Sequence, residues 1–381
     1  MKRIGILSLQ KVYNFGASLQ LFALQLKLKE FKFKTEIIDL KKKDKKLQAF
    51  KNIFGSTGII IYYIYNQLNT FRRYLINVFM FRDPFLKKLK SAKSKFDEFE
   101  SSYLTYSKPI CSLSKLNNRY NKIIVGSDQV LNPTLRYDNQ PFLLESIDSN
   151  IEKYTYAASM GIPKIPDALV DRYNEALARF TSISVREIEG LTKLKDSKGN
   201  FVSQHIDPTF LFCKDEWISK LNLRLKECKP YILSYTLGNE APESLKICKE
   251  INKQTGFEVI QIGRNYNDIN ISGITTQWGV GPQEFLELIL NASYMVTNSF
   301  HGISFCINFG VPFTATLLKT NNRTSRIDNI LSIFNLRNRK VQSFDDFTFT
   351  ENIFQIDNEQ IEIIRKEEEQ KSLEYLKKIF L

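Results

Sequence analysis

Short apolar runs alternate with stretches of helical period along most of the chain, and their order sets the first expectation. Residues 4–9 form an apolar run that reads as a buried strand. The turn Tyr13-Asn14-Phe15-Gly16 leads into a stretch from 17 to 31 whose apolar positions recur at helical spacing, and 34–39 reads as a second strand. This is a βαβ unit, the opening of a parallel, doubly wound sheet. The rhythm continues with a strand at 122–125 ending in Gly126-Ser127-Asp128, a strand at 154–158, a helix at 167–180 and a strand at 182–185. Residues 226–229 read as a linker. A second set follows: strand 231–236, helix 243–255, strand 258–262, a helix opened by Gly281-Pro282, strand 294–297, helix 302–309 and strand 313–316, before a charged helix at 359–380. The pattern predicts an α/β chain of two Rossmann-like domains, 1–225 and 226–381, facing a cleft into which the carboxyl ends of the strands point.

One stretch breaks the rhythm. Between Lys41 and Lys95, apolar residues at Ile60, Ile64, Leu68, Phe71, Leu75 and Val78 follow a helical period, and the uninterrupted run at 59–65 is too short to span a bilayer. Residues 41–100 hold fourteen Lys and Arg against five Asp and Glu, most of the +13 carried by the whole chain. Such a basic amphipathic insert suits an anionic membrane surface, and equally a core helix with solvated basic flanks. No recognised nucleic-acid fold accompanies it, so no nucleic-acid partner is expected.

Composition narrows the classes further. At 381 residues, 43% of them hydrophobic, the chain exceeds the roughly 250–300 residues at which one core stops growing, and it is far from a disordered profile. Five scattered cysteines (Cys111, Cys213, Cys228, Cys248, Cys306) form no CxxC pair, so neither a zinc cluster nor a disulfide framework is expected; they read as reduced core thiols. The N-terminal segment reads as a strand and not a signal peptide, which fits a cytoplasmic protein, peripheral at the inner membrane face if the insert binds lipid.

Acid–base chemistry near neutral pH has only two histidines to draw on. His301, in Asn298-Ser299-Phe300-His301-Gly302, stands where a buried strand gives way to a helix, whose free N–H groups and dipole attract an anion. Asn298 and Ser299 flank it, Ser299 as a cap or an anion contact, and Gly302 would let a ligand approach. His205 reads as structural. At the ligand-facing edge of the first domain lie Asn14 and Gly16, then Ser127, Asp128 and Gln129, which offer a hydroxyl, a carboxylate and an amide. Arg186 ends a strand and suits a carboxylate or phosphate, and Arg323 and Arg326, one helical turn apart, suggest an anion clamp.

Taken in order, these segments resemble the polysaccharide pyruvyl transferase family over nearly the whole length. The motifs are Tyr13-Asn14-Phe15-Gly16-Ala17-Ser18-Leu19-Gln20, Val125-Gly126-Ser127-Asp128-Gln129, Ser184-Val185-Arg186-Glu187, Asp207-Pro208-Thr209, Gly281-Pro282-Gln283-Glu284-Phe285 and Thr297-Asn298-Ser299-Phe300-His301-Gly302. The resemblance implies a fold similar to the B-type glycosyltransferases. It also implies transfer of a pyruvyl group from phosphoenolpyruvate, as co-substrate without further cofactor or metal, to two hydroxyls of a sugar or lipid-linked oligosaccharide as a cyclic ketal. Arg186 and His301 then match the donor-handling arginine and histidine, with Asn298, Ser299, Gly302, Arg323 and Arg326 around the donor. Asp128 is expected to orient or deprotonate the acceptor, and Asn14, Gly16, Ser127 and Gln129 to contact it. Two positions depart from the pattern: Phe300 stands where some members carry arginine, and Val130-Leu131 where the family often shows tryptophan. A nucleotide-sugar glycosyltransferase, and a non-enzymatic nucleic-acid or membrane-surface binding protein, are the alternatives.

Overall fold

The computed structural model describes residues 3–41, 84–117, 119–134, 141–148, 150–189, 191, 196–238, 241–264, 268, 271–317 and 324–379. They form two six-stranded sheets, and every strand pair in them is parallel. The first sheet is built from β1 (Arg3–Leu7), β2 (Lys34–Ile37), β3 (Lys122–Asp128), β4 (Glu152–Ala158), β5 (Ser184–Val185) and β6 (Ser203–Gln204), in the order β2-β1-β3-β4-β5-β6. The second holds β7 (Tyr231–Tyr235), β8 (Glu258–Ile262), β9 (Thr275–Gln277), β10 (Tyr294–Thr297), β11 (Phe313–Thr316) and β12 (Lys340–Val341), in the order β12-β11-β10-β7-β8-β9. These are the two doubly wound orders. Each reverses direction once, between β1 and β3 in the first sheet and between β7 and β10 in the second, and ligands bind such sheets beyond the strand ends at that reversal.

Two helices fill the space between the sheets. Helix α1 (Phe15–Glu30) buries thirteen of its sixteen residues, so it is covered on all sides and not on one face. Its Phe15 ring stacks on Phe285 at 4.3 Å and meets Tyr235 edge-on at 5.5 Å, both from the second half of the chain. The helix following β10, Phe300–Phe309, buries all ten of its residues. One hydrophobic core therefore runs through both halves, from Ile4 and Leu24 to Trp217, Phe305 and Leu376. The last helix, Asn358–Lys378, packs back on the first sheet: the Tyr375 hydroxyl donates to the Thr155 carbonyl at 2.8 Å and the Ser372 hydroxyl accepts from the Ile206 N–H at 3.2 Å.

Several boundaries differ from the periodic reading. Helix α1 begins at Phe15 because the Asn14 carboxamide caps it, accepting from the Ala17 N–H at 3.1 Å. Only Ser184 and Val185 of the expected strand at 182–185 are paired as a strand. The edge strands β6, β9 and β12 carry too few apolar residues to announce themselves. The cysteines divide: Cys248 and Cys306 are core thiols, whereas Cys111 and Cys228 lie in surface segments and are exposed. Of the insert expected between Lys41 and Lys95, the helical-period stretch from Ile60 to Val78 lies outside the described residues, and the end of the insert belongs to the helix Pro84–Tyr103. Among those described, no helix is long and apolar enough to cross a membrane.

Candidate active site

The two reversal points face one another, and each is tied shut by side chains. In the first sheet Gln20 spans the gap between β1 and β3: its Nε2 donates to the Ser8 hydroxyl at 3.1 Å, and its Oε1 accepts from the Ser127 N–H at 3.2 Å. In the second, the Asn298 carboxamide accepts from the Leu237 N–H at 2.6 Å and donates to the Leu237 carbonyl at 2.8 Å, joining the end of β10 to the end of β7. Ser299 caps the helix Phe300–Phe309, its hydroxyl accepting from the Gly302 N–H at 3.2 Å. This cap fixes the direction in which Phe300 and His301 leave the turn.

Between the reversal points lies a buried polar cluster. The Arg186 guanidinium is 3% exposed; its Nη1 donates to Asp207 Oδ2 at 2.7 Å, its Nη2 stands 3.5 Å from Asp128 and its Nε 3.7 Å from Glu187. His301, from the second domain, brings Nε2 to 3.8 Å from the same Asp207 oxygen. Arg186 lies flat against the Phe300 ring, with its central carbon 4.0 Å from the centroid, and Arg326 approaches that ring at 6.0 Å. With its amide oxygen turned toward Arg326, Gln129 accepts from Nη1 at 3.0 Å and Nη2 at 3.2 Å. Arg326 thereby joins the second domain to the end of β3.

The charges settle one another. Burial opposes ionisation of Asp207, but His301 when it is protonated, Arg186, and hydrogen bonding from Thr209 and Arg186 outweigh it and hold the carboxyl below its ordinary range. Burial also opposes the charge on Arg186, yet Asp207, Glu187 and Asp128 keep it protonated. His301 goes the other way: burial lowers its pKa, Asp207 and Asp128 oppose the shift, and Arg186 and Arg326 add to it. The imidazole therefore favours its neutral form at pH 7. Asp128 has φ of 67°, a left-handed conformation uncommon for a residue with a side chain and frequent at functional sites.

The structure thus brings together His301, Arg186, Asp128, Gln129 and Arg326, and engages other expected contacts in packing and capping. Gly16 is packed beneath the His301 ring. Ser127 is fully buried, its one hydroxyl proton donated to the Ala157 carbonyl at 2.6 Å, with Asp207 Oδ2 at 3.2 Å as a weaker, shared acceptor. Asn14 caps α1, and Gly302 is packed against the Thr297 and Met295 side chains. Arg323 lies outside the described residues. His205 is structural, as expected: it hydrogen-bonds Ser184 at 2.9 Å and rests on Tyr375 at 4.4 Å. Asp207 and Glu187 received no role from the sequence, although both sit in segments singled out there. Among the described residues, no group of three or more acidic, cysteine or histidine side chains is arranged to hold a metal ion.

A family model described as polysaccharide pyruvyl transferase matches residues 14–316, most of the chain, a range that includes Asp128, Arg186, Asp207 and His301 but not Arg326. No curated protein matches the sequence. Among solved structures, the chain is similar to the UDP-GlcNAc 2-epimerases of Neisseria meningitidis (12% identity, TM-score 0.41) and Methanocaldococcus jannaschii (14%, 0.43), covering 96% of this chain and 99% of each of those. It is also similar to S. aureus MnaA in a co-structure with UDP, at 10% identity and a TM-score of 0.49, covering 96% of this chain and 91% of that one.

Proposed function

The chain belongs to the polysaccharide pyruvyl transferase family, and on that premise we propose that it transfers the pyruvyl group of phosphoenolpyruvate to a sugar of a surface polysaccharide or its lipid-linked precursor, forming a cyclic ketal. The observation that carries this reading is the convergence of His301 from one domain with Arg186 and Asp128 from the other, at the facing reversal points of both sheets.

The residue types suit the chemistry. Phosphoenolpyruvate presents a carboxylate and a phosphate; Arg186, Arg326 and the N-terminus of the helix Phe300–Phe309 supply positive charge beside His301. His301 delivers a proton to the methylene carbon, which becomes a methyl group as oxocarbenium character develops at the adjacent carbon. One acceptor hydroxyl adds there, with Asp128 orienting it. Phosphate departs with the C–O bond electrons, and the second hydroxyl closes the ketal. Of the two hydroxyl protons, one returns to His301 and the other leaves with phosphate.

The exposed lysines Lys87, Lys88, Lys90 and Lys93, on the helix Pro84–Tyr103, fit a peripheral contact with an anionic membrane carrying the acceptor. Replacing all four by Gln should abolish sedimentation with anionic vesicles; unchanged sedimentation would remove the membrane from the proposal.

The central experiment measures phosphate release from phosphoenolpyruvate with a sugar acceptor, beside nucleotide release from a nucleotide sugar. The first reaction is expected, falling about 10²- to 10⁴-fold in His301→Ala, the usual value of a positioned acid. Near wild-type turnover in that variant, or nucleotide release alone, would overturn the reading.

A further inference from the structure

Asp207 is the place where both domains' chemistry meets. Its Oδ1 is held by Thr209, whose N–H and hydroxyl donate to it at 3.0 and 2.9 Å. Its Oδ2 accepts from Ser127 at 3.2 Å and from Arg186 at 2.7 Å, and faces His301 Nε2 at 3.8 Å. The residue is fully buried, so water does not share these duties. Nε2 of His301 is buried too and has no hydrogen-bond partner. A buried imidazolium needs an acceptor for each N–H, and Oδ2 of Asp207 is the oxygen facing this one.

We propose that Asp207 is a positioning residue with two linked roles, holding Arg186 against Phe300 and acting as counter-ion and hydrogen-bond acceptor for Nε2 of His301 when His301 carries the proton. Asp207 neither gives nor takes a proton. Its anchoring by Thr209 and Ser127 keeps the carboxylate still while His301 cycles, so that the donor-side imidazole in one domain and the guanidinium in the other stay in register. The inference rests on the transfer reading for its catalytic meaning, but its geometry stands without it.

With only two histidines in the chain, the titration of His301 can be followed by NMR, using His205→Gln to assign the signals. In Asp207→Asn the His301 midpoint should fall by about one pH unit or more, since the opposing charge is gone. In wild-type protein, acidification should produce a low-field proton resonance on Nε2, a measurement that does not depend on any variant folding. An unchanged midpoint in folded Asp207→Asn, or protonation without that resonance, overturns the proposal. Neither experiment uses a substrate, so their failure is distinct from failure of pyruvyl transfer. If transfer is observed, Asp207→Asn should lower kcat about 10²-fold and move the alkaline limb of its pH profile to lower pH. KM for phosphoenolpyruvate should change much less, and Asp207→Glu should restore part of the rate. Equal loss in both variants with no movement of the pH profile would reduce Asp207 to a structural residue.

Discussion

Gly16 and His301 are in contact across the seam between the domains: a Cβ at position 16 would stand 1.9 Å from Nδ1 of the imidazole. The glycine is required there for space, because the first turn of α1 and the ring occupy one another's only free volume. Gly16→Ala must therefore displace the imidazole or part the seam. Overpacking of this kind typically costs about 1–3 kcal/mol. The expected result is a folded protein with a lowered melting temperature and turnover reduced at least about tenfold. Wild-type turnover with alanine at this position would show that the location of the ring does not matter to the reaction.

How far the sequence discloses this arrangement depends on how local each feature is. The alternation of apolar runs with helical stretches is a local property, and it yields the inner strands of both sheets but not the edge strands β6, β9 and β12. His301 and Arg186 are also legible, since a strand that ends in a charged residue marks the ligand edge of a parallel sheet. Asp207 is not, because its meaning comes from residues such as Ser127 and His301, about 80 and 94 positions away. The same reason hides the packing of Gly16, in the first turn of α1, and of Ser127, near the end of β3: the His301 ring and Ala157 cover them, and no periodicity reports that.

Phe300 holds two guanidiniums on one ring, Arg186 at 4.0 Å and Arg326 at 6.0 Å. The arginine that some members of the family carry at this position would here be a third cation in a buried cluster whose carboxylates are already engaged. Phe300→Arg should thus cost about 3–5 kcal/mol, the usual size of an uncompensated buried charge, and abolish activity. Phe300→Leu keeps the volume roughly but loses the ring, so a smaller loss of about 1–2 kcal/mol is expected. Chemical denaturation of the two variants separates the cases. A stable, active arginine variant would mean that Arg186 and Arg326 do not depend on this ring.

Burial favours the neutral form of His301 at pH 7, and a donor bearing carboxylate and phosphate charges would favour the protonated form. Binding of phosphoenolpyruvate should therefore take up to about one proton from solvent near neutral pH. Calorimetry in buffers of different ionisation enthalpy reads this directly, as a binding enthalpy that varies with the buffer. The uptake should disappear in His301→Gln and shrink in Asp207→Asn. Donor binding with no buffer dependence at pH 7 would show that the imidazole is not the group that receives the proton.

His205 supplies a pH dependence of a different kind, one of stability. Burial, with smaller contributions from Lys378 and Lys371, pushes its pKa from 6.5 down to about 4. Above pH 6.5 the imidazole is neutral in folded and unfolded chains alike, and the full stability is present. As pH falls below 6.5 the unfolded chain binds a proton that the folded chain refuses until about pH 4. The folded state accordingly loses up to about 3 kcal/mol across that window. His301 and Asp207, whose pKa values are also lowered, act in the same direction, so the contribution of His205 is read as a difference. Melting temperatures of wild type and His205→Gln, followed from pH 7.5 to 4.5, should converge as the pH falls, because the variant lacks the proton that only unfolded wild type binds. Two parallel curves would show that the packing of His205 against Tyr375 does not exclude its charged form.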